Sequence, residues 1–109
     1  MLEFEAGFGC REITPHNLGL PLMGYGTREH GTRLGVAEGV HDPLWARAVV
    51  LRQGNAAWAL CAVDLVGVDE QSVFDIRQQA SQSTGLAPEA ILVAAIHNHS
   101  GPSAKDAGN

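Results

Sequence analysis

Apolar positions fall into short runs separated by glycine, proline and polar breaks, and the period within each run predicts its element. The first run, Glu3 to Ile13, reads as a strand. Gly7 and Gly9 interrupt its side chains, so a bulge or a close backbone approach is expected there, and Thr14-Pro15 ends it. The second run, Leu44 to Gln53, places Trp45, Val49 and Leu51 on one side and Ala48 and Val50 on the other. Arg47 shares the side of Trp45 and requires a partner. Gly54-Asn55 follows, a two-residue hairpin signal with positive φ at its first position. Residues 56–64 then predict a third strand, antiparallel to the second; being nearly all apolar, it should be covered on both faces.

Residues 69–84 change period. Val73, Ile76, Arg77 and Ala80 recur at helical spacing, with Phe74 widening the stripe. Asp69 is suited to the N-cap, Gly85 to the C′ position, and Pro88 forbids continuation. Residues 90–96 return to a fully apolar run, a fourth strand. Strand, helix and strand across 56–96 make a βαβ unit with parallel strands and a right-handed crossover. The expected class is α/β (α+β): a mixed sheet with a βαβ unit and a flanking helix. A length of 109 residues fits a single domain.

Composition adds three constraints. Charged residues make up 17% of the chain, against about a quarter in ordinary domains, so part of the surface is expected to lie under more polypeptide or a partner. The net charge is -5 with no Lys/Arg cluster, which argues against nucleic-acid binding, because phosphate neutralisation needs a basic patch. No run approaches the ~18 to 20 apolar residues that span a bilayer. The first residues carry neither a basic nor an apolar leader region, which leaves a cytoplasmic chain, or a secreted one whose leader has been removed. Cys10 and Cys61 are too few for a disulfide framework; a single disulfide is open, with buried free thiols favoured.

Candidate chemistry gathers at one sheet edge. In a βαβ unit the carboxyl ends of both strands share an edge, where ligands bind in open α/β sheets. Asp64 ends the first of these strands and His97 the second. In extended backbone His97 and His99 would point to one face, as two imidazoles serving one metal, or one metal and a substrate, would need. Zinc favours such nitrogen donors. The alternative is a pair of solvated histidines capping a strand. Ser100-Gly101-Pro102 turns the chain immediately afterwards. Residues 15–40 form a glycine-rich stretch interrupted by Pro15 and Pro21, longer than a plain connector, and long ordered loops carry function. Within it, Gly24 either lets backbone approach a ligand or serves a turn. His41 precedes the turn signal Asp42-Pro43 and by itself is only a loop histidine, as are His16 and His30. Asp64 could equally cap the following loop.

Four segments together resemble one family: Gly9-Cys10-Arg11-Glu12-Ile13-Thr14-Pro15, Met23-Gly24-Tyr25, Gly39-Val40-His41-Asp42-Pro43-Leu44-Trp45-Ala46-Arg47-Ala48 and Ala94-Ala95-Ile96-His97-Asn98-His99-Ser100-Gly101-Pro102. In order and rough spacing they look like the N-terminal part of the neutral/alkaline, non-lysosomal ceramidases and their bacterial relatives. Asn98 stands where that family's last motif usually has threonine. The family's members are zinc amidohydrolases that cleave the N-acyl bond of ceramide. The resemblance implies that residues 1–109 are the N-terminal part of a larger catalytic domain. It implies Zn2+ as cofactor with His97 as a ligand. His99 would lie beside the metal and contact substrate or the developing oxyanion. His41 would line the same site, and Gly24 would lie close to the headgroup of a lipid-like N-acyl substrate. Asp64 matches an aspartate of less defined role. The family's other ligands, a second histidine, a glutamate and a tyrosine, match no position in this sequence. The implied partner is the remaining C-terminal part of the enzyme, or a second copy of the chain. Two readings from other classes stand beside this one: a different metal hydrolase, such as a phosphoesterase using His97, His99 and Asp64, and a non-catalytic assembly or binding domain.

Overall fold

A computed structural model describes residues 3–24 and 36–104. Tyr25 and His30 lie outside the described residues. Four strands form one sheet in chain order: β1 (Phe4–Glu12), β2 (Trp45–Gln53), β3 (Ala56–Val63) and β4 (Ile91–Ala95). β1, β2 and β3 pair antiparallel, and β3 pairs parallel with β4. The only helix of more than one turn among the described residues, α1 (Glu70–Thr84), connects β3 to β4 and is followed by a 3-10 turn at Pro88–Ala90. This is the expected α+β arrangement with a mixed sheet and a βαβ unit.

Local chemistry accounts for the boundaries. Gly54 sits at φ 58 in the β2–β3 turn, where a side chain would be strained. Asp69 caps α1 by accepting the Ser72 N–H at 3.0 Å. Gly85 ends it at φ 78 and donates its N–H to the Ser81 carbonyl, the left-handed close that glycine permits. Gly7 and Gly9 make no bulge. The β1–β2 register runs unbroken from Phe4 to Glu12, and a methyl added at either glycine would meet nothing within 4 Å among the described residues.

The core is small and lies on one face of the sheet. Ala59, Leu86 and Ile91 form its buried centre, with Val50, Ala57, Ala80 and Val93 packed around them. Ala80 places α1 on this face. Arg77 spans the gap, its Nε donating to the Ile91 carbonyl at 2.8 Å. Phe74 does not widen the stripe as expected; it is exposed.

The sequence reading that β3 is covered on both faces fails for the described residues. Opposite the helix, a row runs across all four strands in register, Phe8–Val49–Leu60–Leu92. Phe8 is 83% exposed and Leu92 56%. An apolar run in the sequence records that a strand avoids water but not which element does the covering. The low charged fraction has its structural counterpart in this open face. Both cysteines are free, as expected, but neither is fully buried: Cys10 is exposed and Cys61 half-buried.

Candidate functional site

β3 and β4 are parallel, so the segments that leave them, 64–66 and 96–99, emerge side by side. Ile96 donates its N–H to the Val63 carbonyl at 3.0 Å, and His97 donates its N–H to the Leu65 carbonyl at 2.9 Å. The His97 ring then returns to the same segment, with Nδ1 2.7 Å from the Val66 carbonyl oxygen. Asn98 Nδ2 donates to the Asp64 carbonyl at 2.8 Å. Three consecutive carbonyls, at 64, 65 and 66, thus each receive one donor from His97 or Asn98.

This anchoring determines the state of the His97 ring. A carbonyl oxygen only accepts, so Nδ1 carries the proton, and in neutral imidazole Nε2 keeps the lone pair. His99 Nε2 lies 3.2 Å from His97 Nε2, and the rings meet edge-on with centroids 4.8 Å apart. The contact is satisfied when His99 Nε2 carries a proton and donates it. Two nitrogens bound to one tetrahedral zinc at about 2.0–2.1 Å would stand about 3.3–3.4 Å apart. The spacing would also fit two Nε2 lone pairs facing one small cation, a state in which His99 carries its proton on Nδ1. Among the described residues no group of three or more His, Cys, Asp or Glu side chains could hold a metal ion.

The two imidazoles converge for a different reason than extended alternation. His97 has φ 68, the left-handed region, which costs a non-glycine residue about 1–2 kcal/mol. Its two hydrogen bonds to 65 and 66, at about 0.5–1.5 kcal/mol net each, are of the size needed to hold it there. Non-glycine residues in this region tend to cluster at functional sites.

Gly24 approaches the site from the long loop. It has φ 113, and a Cβ built on it would stand 2.5 Å from His99 Cγ and 2.9 Å from His99 Cα. The loop is fastened at this point: Met23 donates its N–H to the Gly101 carbonyl at 2.9 Å. Farther back the loop pairs with itself, through a bridge between Pro21 and Val36 and the bonds Gly19 N–H to Ala37 carbonyl and Ala37 N–H to Leu20 carbonyl. Gly24 is thus placed against His99.

His41 is separate from the imidazole pair. Its side chain is 97% exposed and its Nδ1 is 2.8 Å from Asp42 Oδ2. The hydrogen bond to Asp42, and then its charge, raise the His41 pKa above the ordinary histidine value. His41 lines a cavity of about 410 Å3 together with Leu18, Leu22, Asp64, Asn98 and Ser100. Residues 98 and 100 face this cavity and 97 and 99 do not line it, so the motif is a wall between the two.

Asp64 shares the edge with His97, but its carboxylate is engaged elsewhere. Oδ2 accepts the Trp45 N–H at 2.9 Å, and both oxygens accept from Arg47 Nη1, at 3.1 and 3.2 Å. Arg47 therefore has the partner its position on an apolar side demanded. The reading of Asp64 as a third metal ligand of a phosphoesterase-like site loses its support. Sequence reasoning missed the carbonyl of Val66 and the amide of Asn98. Backbone acceptors leave no mark in a sequence, but an amide between two candidate donor residues was a usable signal.

The parallel strand ends of this α+β chain present an imidazole pair at one edge of the sheet. No family model matches the sequence, and no curated protein matches it. Solved structures do match. The neutral ceramidase from Pseudomonas aeruginosa superposes with a TM-score of 0.75 at 27% identity over 94% of this chain. A ceramidase complexed with C2 gives 0.74 and 27%, again over 94% of the chain. The chain spans 17% and 16% of the lengths of these structures. Over this length its fold is neutral-ceramidase-like. No described helix is long and apolar enough to cross a membrane.

Proposed function

We propose that this chain forms one wall of a zinc-dependent amidohydrolase centre of the neutral-ceramidase kind, acting on the N-acyl bond of a lipid-like substrate. In this reading residues 1–109 are the N-terminal part of the catalytic domain, and further polypeptide supplies the other ligands. The observation that carries the proposal is the imidazole corner: His97 Nδ1 is tied to the Val66 carbonyl, which leaves the Nε2 lone pair on the side of His99 Nε2, 3.2 Å away. Zinc bound there would supply Lewis-acid polarisation of a carbonyl and a water of lowered pKa.

The chain's own residues would do the rest. His97 would hold the metal through Nε2. His99 directs Nε2–H to the same point, where it can donate to a carbonyl oxygen that gains negative charge, the kind of preorganised donor that stabilises acyl-transfer transition states. Gly24 keeps His99 in place. His41, which holds its proton to higher pH than a free imidazole because of Asp42, is available to move a proton at the cavity on the other side of the motif. The likeness to ceramidase structures at 27% identity supports a hydrolase acting on a lipid.

Calorimetric zinc titration of the purified chain, with His97→Ala as control, tests the reading. The expected result is weak uptake that the substitution abolishes, well short of the about 10–16 kcal/mol of complete structural zinc sites. The chain alone should release no fatty acid from an N-acyl amide substrate. Turnover by these 109 residues alone would overturn the partial-site reading, and zinc uptake indifferent to His97 would overturn the metal reading.

A further inference from the structure

We infer that Asp64 is a positioning residue for the histidine motif, acting through the backbone of the segment that receives it. The motif makes its anchoring hydrogen bonds to the carbonyls of 64, 65 and 66. Those three carbonyls can serve as a template only if the segment is itself fixed, and after β3 ends at Val63 no further strand pairing holds it. Asp64 holds it instead. Its N–H donates to the Trp45 carbonyl at 2.9 Å, and its carboxylate accepts the Trp45 N–H at 2.9 Å. Main chain and side chain together close a two-bond clasp on the start of β2. Arg47 adds a third attachment from the same strand at 3.1 Å.

The clasp explains two otherwise unrelated features. Asp64 is 13% exposed although its charge would favour water; three hydrogen bonds from two nitrogens, Trp45 N and Arg47 Nη1, compensate its desolvation. Arg47, 58% exposed, stands on an otherwise apolar side of β2 because its guanidinium reaches across to the end of β3. An exposed ion pair contributes little stability, so its consequence here is orientational. If the segment 64–66 rotates, the Val66 oxygen leaves His97 Nδ1 and the ring loses the bond that assigns its proton to that nitrogen. Outer groups of this kind typically alter metal affinity 10- to 100-fold. The inference uses the metal-site reading only for its purpose; the tautomer it assigns to His97 is a property of the chain without metal.

The test is imidazole 15N–1H correlation spectroscopy on the labelled 109-residue chain, metal-free and at about pH 8, where histidines of ordinary pKa are neutral. The expected result for the unaltered chain is a single His97 tautomer protonated at Nδ1. Asp64→Ala should convert this to a mixture of tautomers while far-UV circular dichroism keeps the fold signature. Asp64→Asn should largely restore the single tautomer, because its amide oxygen can still accept from Trp45. Arg47→Met, which leaves the Trp45 clasp intact, should give an intermediate mixture and serves where Asp64→Ala does not fold. A folded Asp64→Ala chain, or in its absence a folded Arg47→Met chain, that retains one Nδ1-protonated tautomer overturns the inference. Zinc titration separates the two proposals. A chain with the expected tautomers and no His97-dependent zinc uptake refutes the functional reading alone. Zinc uptake with tautomers indifferent to Asp64 refutes the positioning role alone.

Discussion

Substituting Gly24 by alanine tests the site by a single methyl group. The new Cβ would lie 2.5 Å from His99 Cγ, 2.7 Å from His99 Cβ and 2.9 Å from His99 Cα. Carbon atoms in van der Waals contact stand about 3.5–4.0 Å apart, so the deficit is about 1 Å. Rotating the imidazole does not relieve it, because the Cα and Cβ of His99 are also too near. Backbone must move, either at His99 or in the loop that Met23 fastens to Gly101. The φ of 113 at Gly24 adds strain for any L side chain, about 1–3 kcal/mol, and overpacking adds about 1–3 kcal/mol. The net loss of stability should be about 2–4 kcal/mol, since relaxation in the loop recovers part of the sum. Urea unfolding measures this. Gly9→Ala is the control, as a methyl there meets nothing within 4 Å, and its effect should stay within about 1 kcal/mol. The imidazole resonances of His99 should shift in Gly24→Ala, and His97-dependent zinc uptake should fall. A loss below about 0.5 kcal/mol with unchanged His99 resonances would refute the claim that Gly24 is placed against His99.

Other perturbations have definite expectations. Ile91, 3% exposed at the core centre, should cost about 2–4 kcal/mol as Ile91→Ala, whereas Phe8→Ser at an 83% exposed position should cost under about 0.5 kcal/mol; the two unfolding curves decide this. Proton NMR titration should place the His41 pKa above the usual histidine value, and Asp42→Asn should bring it down, because the Asp42 hydrogen bond and charge favour the protonated ring. With the folded value raised, the His41–Asp42 pairing contributes fully below the unfolded histidine pKa and fades as pH rises through the folded one. Thiol titration with a chromogenic disulfide should label exposed Cys10 well before Cys61, whose thiol is pushed up by burial; equal rates would contradict the packing around β3.

The elements were legible because their signals are local. Asp69 and Gly85 mark the ends of α1 through cap chemistry complete within one turn, and Gly54 marks the hairpin through its own φ. Alternation placed Arg47 on the wrong side of β2, and that misfit anticipated an ion pair without naming Asp64. The resemblance in the motif segments anticipated the ceramidase-like fold that the solved structures share. Periodicity could not say which face of the sheet is covered, since Phe8, Leu60 and Leu92 are apolar whether or not anything covers them.

The sequence alone determined the strands, the helix and the placing of His97 at a sheet edge, because each rests on residues close in the chain. Tertiary structure decided the rest. It set the left-handed turn at His97, the proton on its Nδ1, the clasp of Asp64 on Trp45 and the seating of Gly24 against His99. These depend on backbone atoms 19 or more positions away, and every residue type carries the same carbonyl and amide. Only the parallel pairing of β3 with β4 brings the particular carbonyls of 64, 65 and 66 within reach of the motif.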